Sequence, residues 1–136
     1  MISLCVFGQG ETFVPISLGG TYTVDCDATG PIFFTDDNSG SQDAQDPYSN
    51  QDYTITLCPE TPDTTIWLEW TIFDLDGNST ITIYDGDSDE ADELAQGSNN
   101  QLDGLVVVAS EDNPTGCLTI NFQSGANSSG DFVAGI

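Results

Sequence analysis

The side chains with the most chemical potential in this chain are carboxylates, and they fall in two groups. One is the stretch Asp74-Leu75-Asp76-Gly77-Asn78-Ser79; the other begins at Asp85 and Asp87 and runs through Asp89, Glu90, Asp92 and Glu93. Alternating Asp, Asp and Asn oxygens around a glycine resemble the opening of a calcium loop, though without the glutamate that closes such loops. Calcium is the cation that such hard oxygen donors suit, because it takes six to eight oxygens in a tolerant geometry. Asp74, Asp76, Asn78, Ser79, Asp85 and Asp87 are therefore the candidate metal ligands, with a solvated charge run as the plainer reading of the second group. A carboxylate pair could also hydrolyse a glycosidic bond, but that needs one acid with a raised pKa in an aromatic-lined cleft. No buried acid is legible in the pattern, so this ranks below a binding role.

Composition removes most other chemistry. The 136 residues contain 23 Asp plus Glu and no Lys, Arg or His, a net charge of −23. Without His or Lys there is no base to activate a serine nucleophile and no cationic clamp for phosphate. Nucleic-acid binding, which begins with phosphate neutralisation by Lys and Arg, is excluded, and an anionic membrane surface would repel the chain. No side-chain ion pair can form. Each carboxylate must be solvated, met by hydroxyl or backbone donors, or neutralised by a captured cation, and salt and calcium are expected to stabilise the fold. The 38% hydrophobic and 10% aromatic content argues for a folded core despite the charge. No apolar run is long enough for a membrane helix, and no signal-peptide pattern opens the chain, so Met1 is read as the start of a mature piece or of an excised segment rather than of a secreted precursor. Cys5, Cys26, Cys58 and Cys117 are widely spaced with no CxxC pair, which favours two disulfides in an oxidising, extracellular setting over four buried thiols.

The elements that must position these residues are strands. Ile66, Leu68, Trp70 and Ile72 recur at every second position, which predicts one inward face, with Trp67, Glu69 and Thr71 outward. Ile81 and Ile83 alternate with Thr80, Thr82 and Tyr84. The Asp74–Ser79 turn between these runs reads as a hairpin-like reversal. Leu118, Ile120 and Phe122 are expected inward and Thr119, Asn121 and Gln123 outward. The apolar run Leu105 to Ala109 suggests a strand covered on both faces, and residues 88–96 could form a helical turn or two. Residues 36–50 read as a polar loop. Eight to ten short strands with turn residues between them predict an antiparallel β-sandwich. Trp67 and Tyr48 are the aromatic side chains placed to contact a ligand, although Trp67 could equally be covered by a sheet or a neighbouring domain.

The succession TVDC, PIFF with Asp36-Asp37, Tyr48-Ser49-Asn50, DYTITLCP, FDLDGNSTITIYDG, GCLTINFQS and GDFVAGI resembles a CUB domain of the type found in secreted and cell-surface adhesion proteins of Bacteroidota. The resemblance covers residues 20–136, with 1–19 as an N-terminal strand or linker packing on or preceding that domain. It implies an all-β, CUB-like jelly-roll sandwich of two antiparallel sheets. It implies a non-catalytic extracellular recognition or adhesion module, with a repeating subunit of a filament or surface polymer as the alternative. The implied partners are a surface protein or glycan, copies of the chain, or neighbouring domains. Of the family's calcium ligands the first falls on Asp76, whereas the second falls on Ser79 and the third on Gly125. The resemblance also implies a Cys58–Cys117 disulfide, with Cys5 and Cys26 forming the other. Asn78-Ser79-Thr80, Asn127-Ser128-Ser129 and Asp63-Thr64-Thr65 match short glycan-acceptor patterns, which require only that those spots be exposed.

Overall fold

A computed structural model describes residues 11–25, 30–36 and 46–136. Cys5, Cys26 and most of the polar 36–50 loop lie outside the described residues. The strands are β1 (Thr12–Pro15), β2 (Gly20–Val24), β3 (Ile32–Thr35), β4 (Asp46–Tyr48), β5 (Asp52–Pro59), β6 (Trp67–Leu75), β7 (Thr80–Tyr84), β8 (Glu93–Gly97), β9 (Val106–Val108), β10 (Leu118–Gln123) and β11 (Ser128–Gly135), with a short 3-10 turn at Ile16–Leu18. They form the expected β-sandwich. One sheet runs β1-β3-β11-β6-β9, with β4 also pairing with β11, and the other runs β2-β5-β10-β7-β8. Both sheets are mixed: β1 pairs parallel with β3 and β2 parallel with β5, while every other pair is antiparallel. Residues 12–24 thus begin at the edge of one sheet, cross the side of the sandwich through buried Ile16, and finish at the edge of the other. The segment before residue 20 is part of this sandwich, with Val14 and Ile16 buried in its core.

The inward alternation of β10 is as the sequence predicts, with Leu118, Ile120 and Phe122 fully buried. Along β6 the alternation breaks. Leu68 and Trp70 point inward, but Ile72 is only half-buried and the inward positions become Phe73 and Leu75. The register with β11 jumps from Val133 opposite Ile72 to Ala134 opposite Trp70, so Thr71 is the extra residue of a β-bulge. One inserted residue reverses which face all later side chains occupy. The bulge delivers Phe73, its ring 5.3 Å from that of Trp70, to a core in which Trp70, Phe34, Phe132 and Phe122 meet edge-on or tilted, with ring centroids 5.5–6.0 Å apart. Trp70 Nε1 is buried there without a hydrogen-bond partner. Apolar packing places this ring, at the cost of one unsatisfied donor.

The Asp74–Ser79 turn is not a hairpin. β6 pairs with β11 and β9, and β7 pairs with β10 and β8, so the turn carries the chain from one sheet to the other across the end of the sandwich. Hairpin and inter-sheet corner each join two strands with one buried face, so alternation cannot distinguish them. The apolar run after residue 104 also differs from expectation. Only residues 106–108 form a strand; β9 lies at a sheet edge, and Val107 is buried while Leu105, Val106 and Val108 are exposed. The segment expected to hold a helical turn instead supplies turns and then β8. Thr119, expected outward, is fully buried, sharing a 2.8 Å hydrogen bond with Thr56 and donating to the Gly86 carbonyl at 3.0 Å.

Candidate functional site

The candidate metal ligands occupy two separate places. Asp76 follows the last residue of β6 and closes the inter-sheet corner. Its Oδ1 accepts the Asn78 N–H and its Oδ2 the Ser129 N–H, each at 3.0 Å. Backbone bonds from Asp76 N–H to the Ser129 carbonyl, at 3.0 Å, and from Gly125 N–H to the Asn78 carbonyl, at 2.9 Å, lock the corner to the loop before β11. Gly125 is in tight contact there, because a Cβ would stand 3.0 Å from that of Asn78 and 3.3 Å from Ser128 Oγ. Burial tends to raise the Asp76 pKa. The donors around it outweigh that effect and hold the carboxyl below its ordinary 3.8, in the order Ser129 N–H, Ser79 hydroxyl, Asn78 N–H and Ser128 hydroxyl. Ser79 and Ser128 are almost completely buried, and neither hydroxyl completes a hydrogen bond of normal length and angle. Asn78 is exposed and Asp74 half-buried. Asp74 lies directly across from Asp131 in the β6–β11 register. Asp131 is a buried carboxylate that the sequence reading did not single out, since it alternates with the inward Phe132 and nothing in its flanking residues marks it as covered.

Asp85 and Asp87 lie beyond the opposite end of β7, roughly 20 Å from Ser79 at strand spacing. Asp85 Oδ1 accepts the Ser110 N–H at 3.0 Å and the Asn113 side-chain amide at 2.9 Å, and the same amide nitrogen reaches the Cys117 carbonyl at 2.8 Å. Burial again works to raise this pKa, and the Ser110 hydroxyl, Ser110 N–H and Asn113 amide bring it below 3.8. Asp85 thus anchors the loop that leads into Cys117. Asp87, Asp89, Glu90, Asp92 and Glu93 are exposed. Among the described residues no three acidic, His or Cys side chains converge on one point. The six candidate ligands do not form a single site.

The Cys58–Cys117 disulfide is present, with an S–S distance of 2.07 Å. It staples the end of β5 to the residue before β10, immediately beyond the paired Leu57 and Leu118. Gly116 permits the approach: its φ is +66°, and a Cβ there would stand 2.1 Å from the Thr64 carbonyl oxygen.

The two candidate contact aromatics differ. Tyr48 is half-buried, packs edge-on against Phe122 at 4.9 Å, and donates its hydroxyl to Asp36 Oδ2, so it ties β4 to the core. Trp67 is 38% exposed on the outer face of β6. Its register partner on β9 is Val108, 39% exposed, and the next outward pair is Glu69 with Val106, 43% exposed. Between residues 104 and 110 the chain carries no charge. An apolar strip flanked by one carboxylate therefore lies on the outer face of this sheet, an arrangement suited to binding a partner. No helix of the described residues is long and apolar enough to cross a membrane. Neither the protein-family models nor the curated proteins contain a match to the chain.

Proposed function

We propose that the chain is a non-catalytic, extracellular recognition or adhesion module of a cell surface, of CUB-like character. The observation that carries this reading is the strip formed by Trp67, Val106 and Val108, apolar and solvent-facing in a molecule of net charge −23. Leaving a tryptophan in water beside two valines forgoes burial energy, on the order of 25 cal/mol for each Å² left uncovered, and a partner would recover it. The disulfide is in keeping with an oxidising compartment. The shifts of Asp76 and Asp85 run downward, opposite to what a general acid needs. Calcium belongs to the proposal as a stabiliser. Asp76, with the buried Ser79 and Ser128 hydroxyls beside it, is the part of the chain whose oxygens fit the ion, which would there brace the inter-sheet corner against the loop before β11.

The test compares the parent chain with Trp67→Ala on glycan and extracellular-protein arrays, with calcium and with chelator. The substitution is expected to reduce retention at least tenfold while leaving the melting temperature within a few degrees. Equal retention, or turnover of an arrayed glycan, would overturn the reading.

A further inference from the structure

We propose, resting on the recognition reading above, that the edge of β9 that carries no further strand among the described residues is a strand-addition site for an extended, lysine- or arginine-bearing segment of another protein. Natural sheets guard their edges with charge, proline or cover. β1 carries Pro15, and β8 opens with Glu93 and follows the acidic loop; β2 also lacks charge and proline, but its exposed side chains are the hydroxyl-bearing Thr21 and Thr23 rather than apolar ones. β9 has only its shortness, since Gly-Leu-Val-Val-Val-Ala-Ser at 104–110 contains neither charge nor proline.

The backbone faces the right way. Ala109 N–H donates to the Ile66 carbonyl and Trp70 N–H to the Leu105 carbonyl, each at 3.0 Å. In an antiparallel ladder the hydrogen-bonded pairs recur every second residue, so Val107 with Leu68 is the hydrogen-bonded pair between them. The N–H and C=O groups of Val106 and Val108 consequently point away from β6, at the spacing that an incoming strand requires. Beside them on the outer face stand Trp67 and Glu69.

Charge selects the occupant. Glu69 is exposed, and the chain contains no lysine, arginine or histidine to pair with it. A cationic side chain projecting from an added strand over Val106 can reach the Glu69 carboxylate, or lie on the Trp67 ring in a cation–π contact. A second copy of this chain brings −23 against −23 and no cation. A glycan does not present peptide groups at strand spacing to the exposed Val106 and Val108 backbone.

The experiment uses a short alternating valine–threonine peptide with one central lysine, and the same peptide with glutamate in its place. Binding is followed by tryptophan fluorescence and by hydrogen exchange at the Val106 and Val108 amides. The lysine peptide is expected to bind at least tenfold tighter at low ionic strength, to slow exchange at both amides, and to lose its advantage as salt rises. Val106→Pro, which removes an outward donor, is expected to weaken binding tenfold or more. Val108→Lys, at an exposed side chain, is expected to do the same without loss of fold, and Glu69→Gln to narrow the preference for lysine. Equal binding of the two peptides would overturn the proposal. So would binding unchanged in Val106→Pro and Val108→Lys, or protection of these amides that grows with the chain's own concentration in sedimentation runs. If Trp67→Ala abolishes array retention while both edge variants keep it, the strand-addition site falls and the recognition module stands. If Trp67→Ala keeps array retention, the recognition reading itself falls.

Discussion

Replacing Cys58 and Cys117 together by alanine should cost this protein a large part of its stability. The disulfide joins residues 59 apart. The loop-closure expression for a ring of that size gives about 14 cal/mol/K, or about 4 kcal/mol at 25 °C, against a typical domain total of about 5–15 kcal/mol. The enclosed segment holds β6 and β9 of one sheet and β7 and β8 of the other, so the bridge closes a loop that contributes to both layers. A chain of uniform charge sign expands when unfolded, which makes the cross-link's restraint on that state strongest at low ionic strength. The assay is urea unfolding followed by circular dichroism, parent against double variant, in low and near-physiological salt. With a slope of about 1–3 kcal/mol/M, the midpoint should fall by roughly 1.3–4 M, and more at the lower salt. A fall below about 0.5 M with an unchanged slope would refute the argument that this bridge restrains the unfolded chain.

Other outcomes follow from single features. Self-repulsion weakens as carboxylates take up protons, so stability should rise from pH 7 toward about pH 4–5. Asp76 and Asp85 have folded-state pKa values below 3.8, so the stability they contribute is present above 3.8 and is lost as pH falls through their folded values; thermal melts from pH 7 to 2 should therefore peak and then drop. Calcium should raise the melting temperature above an ionic-strength-matched sodium control, and Asp76→Asn should remove that excess; an equal response in both chains would refute the assigned position. Gly116→Ala adds a Cβ 2.1 Å from a backbone oxygen at a left-handed φ, and should lower stability by at least about 2 kcal/mol in urea melts. Trp70→Phe removes a buried donor that has no acceptor, and should cost less than the roughly 3–5 kcal/mol of a large-to-alanine change in the core.

The parts of this molecule that were legible in sequence are those where one strand obeys one period. β10 and the β7 isoleucines announce their buried faces, and of the four widely spaced cysteines Cys58 and Cys117 form the disulfide expected of them. What escaped reading depends on partners distant in the chain. The Thr71 bulge is created by pairing with β11, sixty residues away, and no local pattern announces it. The acidic turn looks the same whether it joins neighbours in one sheet or spans two, so the hairpin expectation placed Asp76 wrongly in the architecture while identifying its turn chemistry. Val106 and Val108 read as doubly covered because three consecutive valines carry no alternation, and only the sheet order exposes them. Thr119 is drawn inside by the Thr56 hydroxyl and the Gly86 carbonyl, neither of which alternation registers.

The place of β11 has a mechanical consequence. This last strand lies inside its sheet, hydrogen-bonded to β6 along one side and to β3 and β4, set end to end, along the other. A pull at Ile136 along the strand axis therefore loads rows of hydrogen bonds in shear, all at once, whereas a pull that lifts residues 12–24 opens two rim ladders one bond at a time. Tension on residues 12–24 should unpeel that segment while β11 holds, which gives the molecule a yielding side and a fixed one.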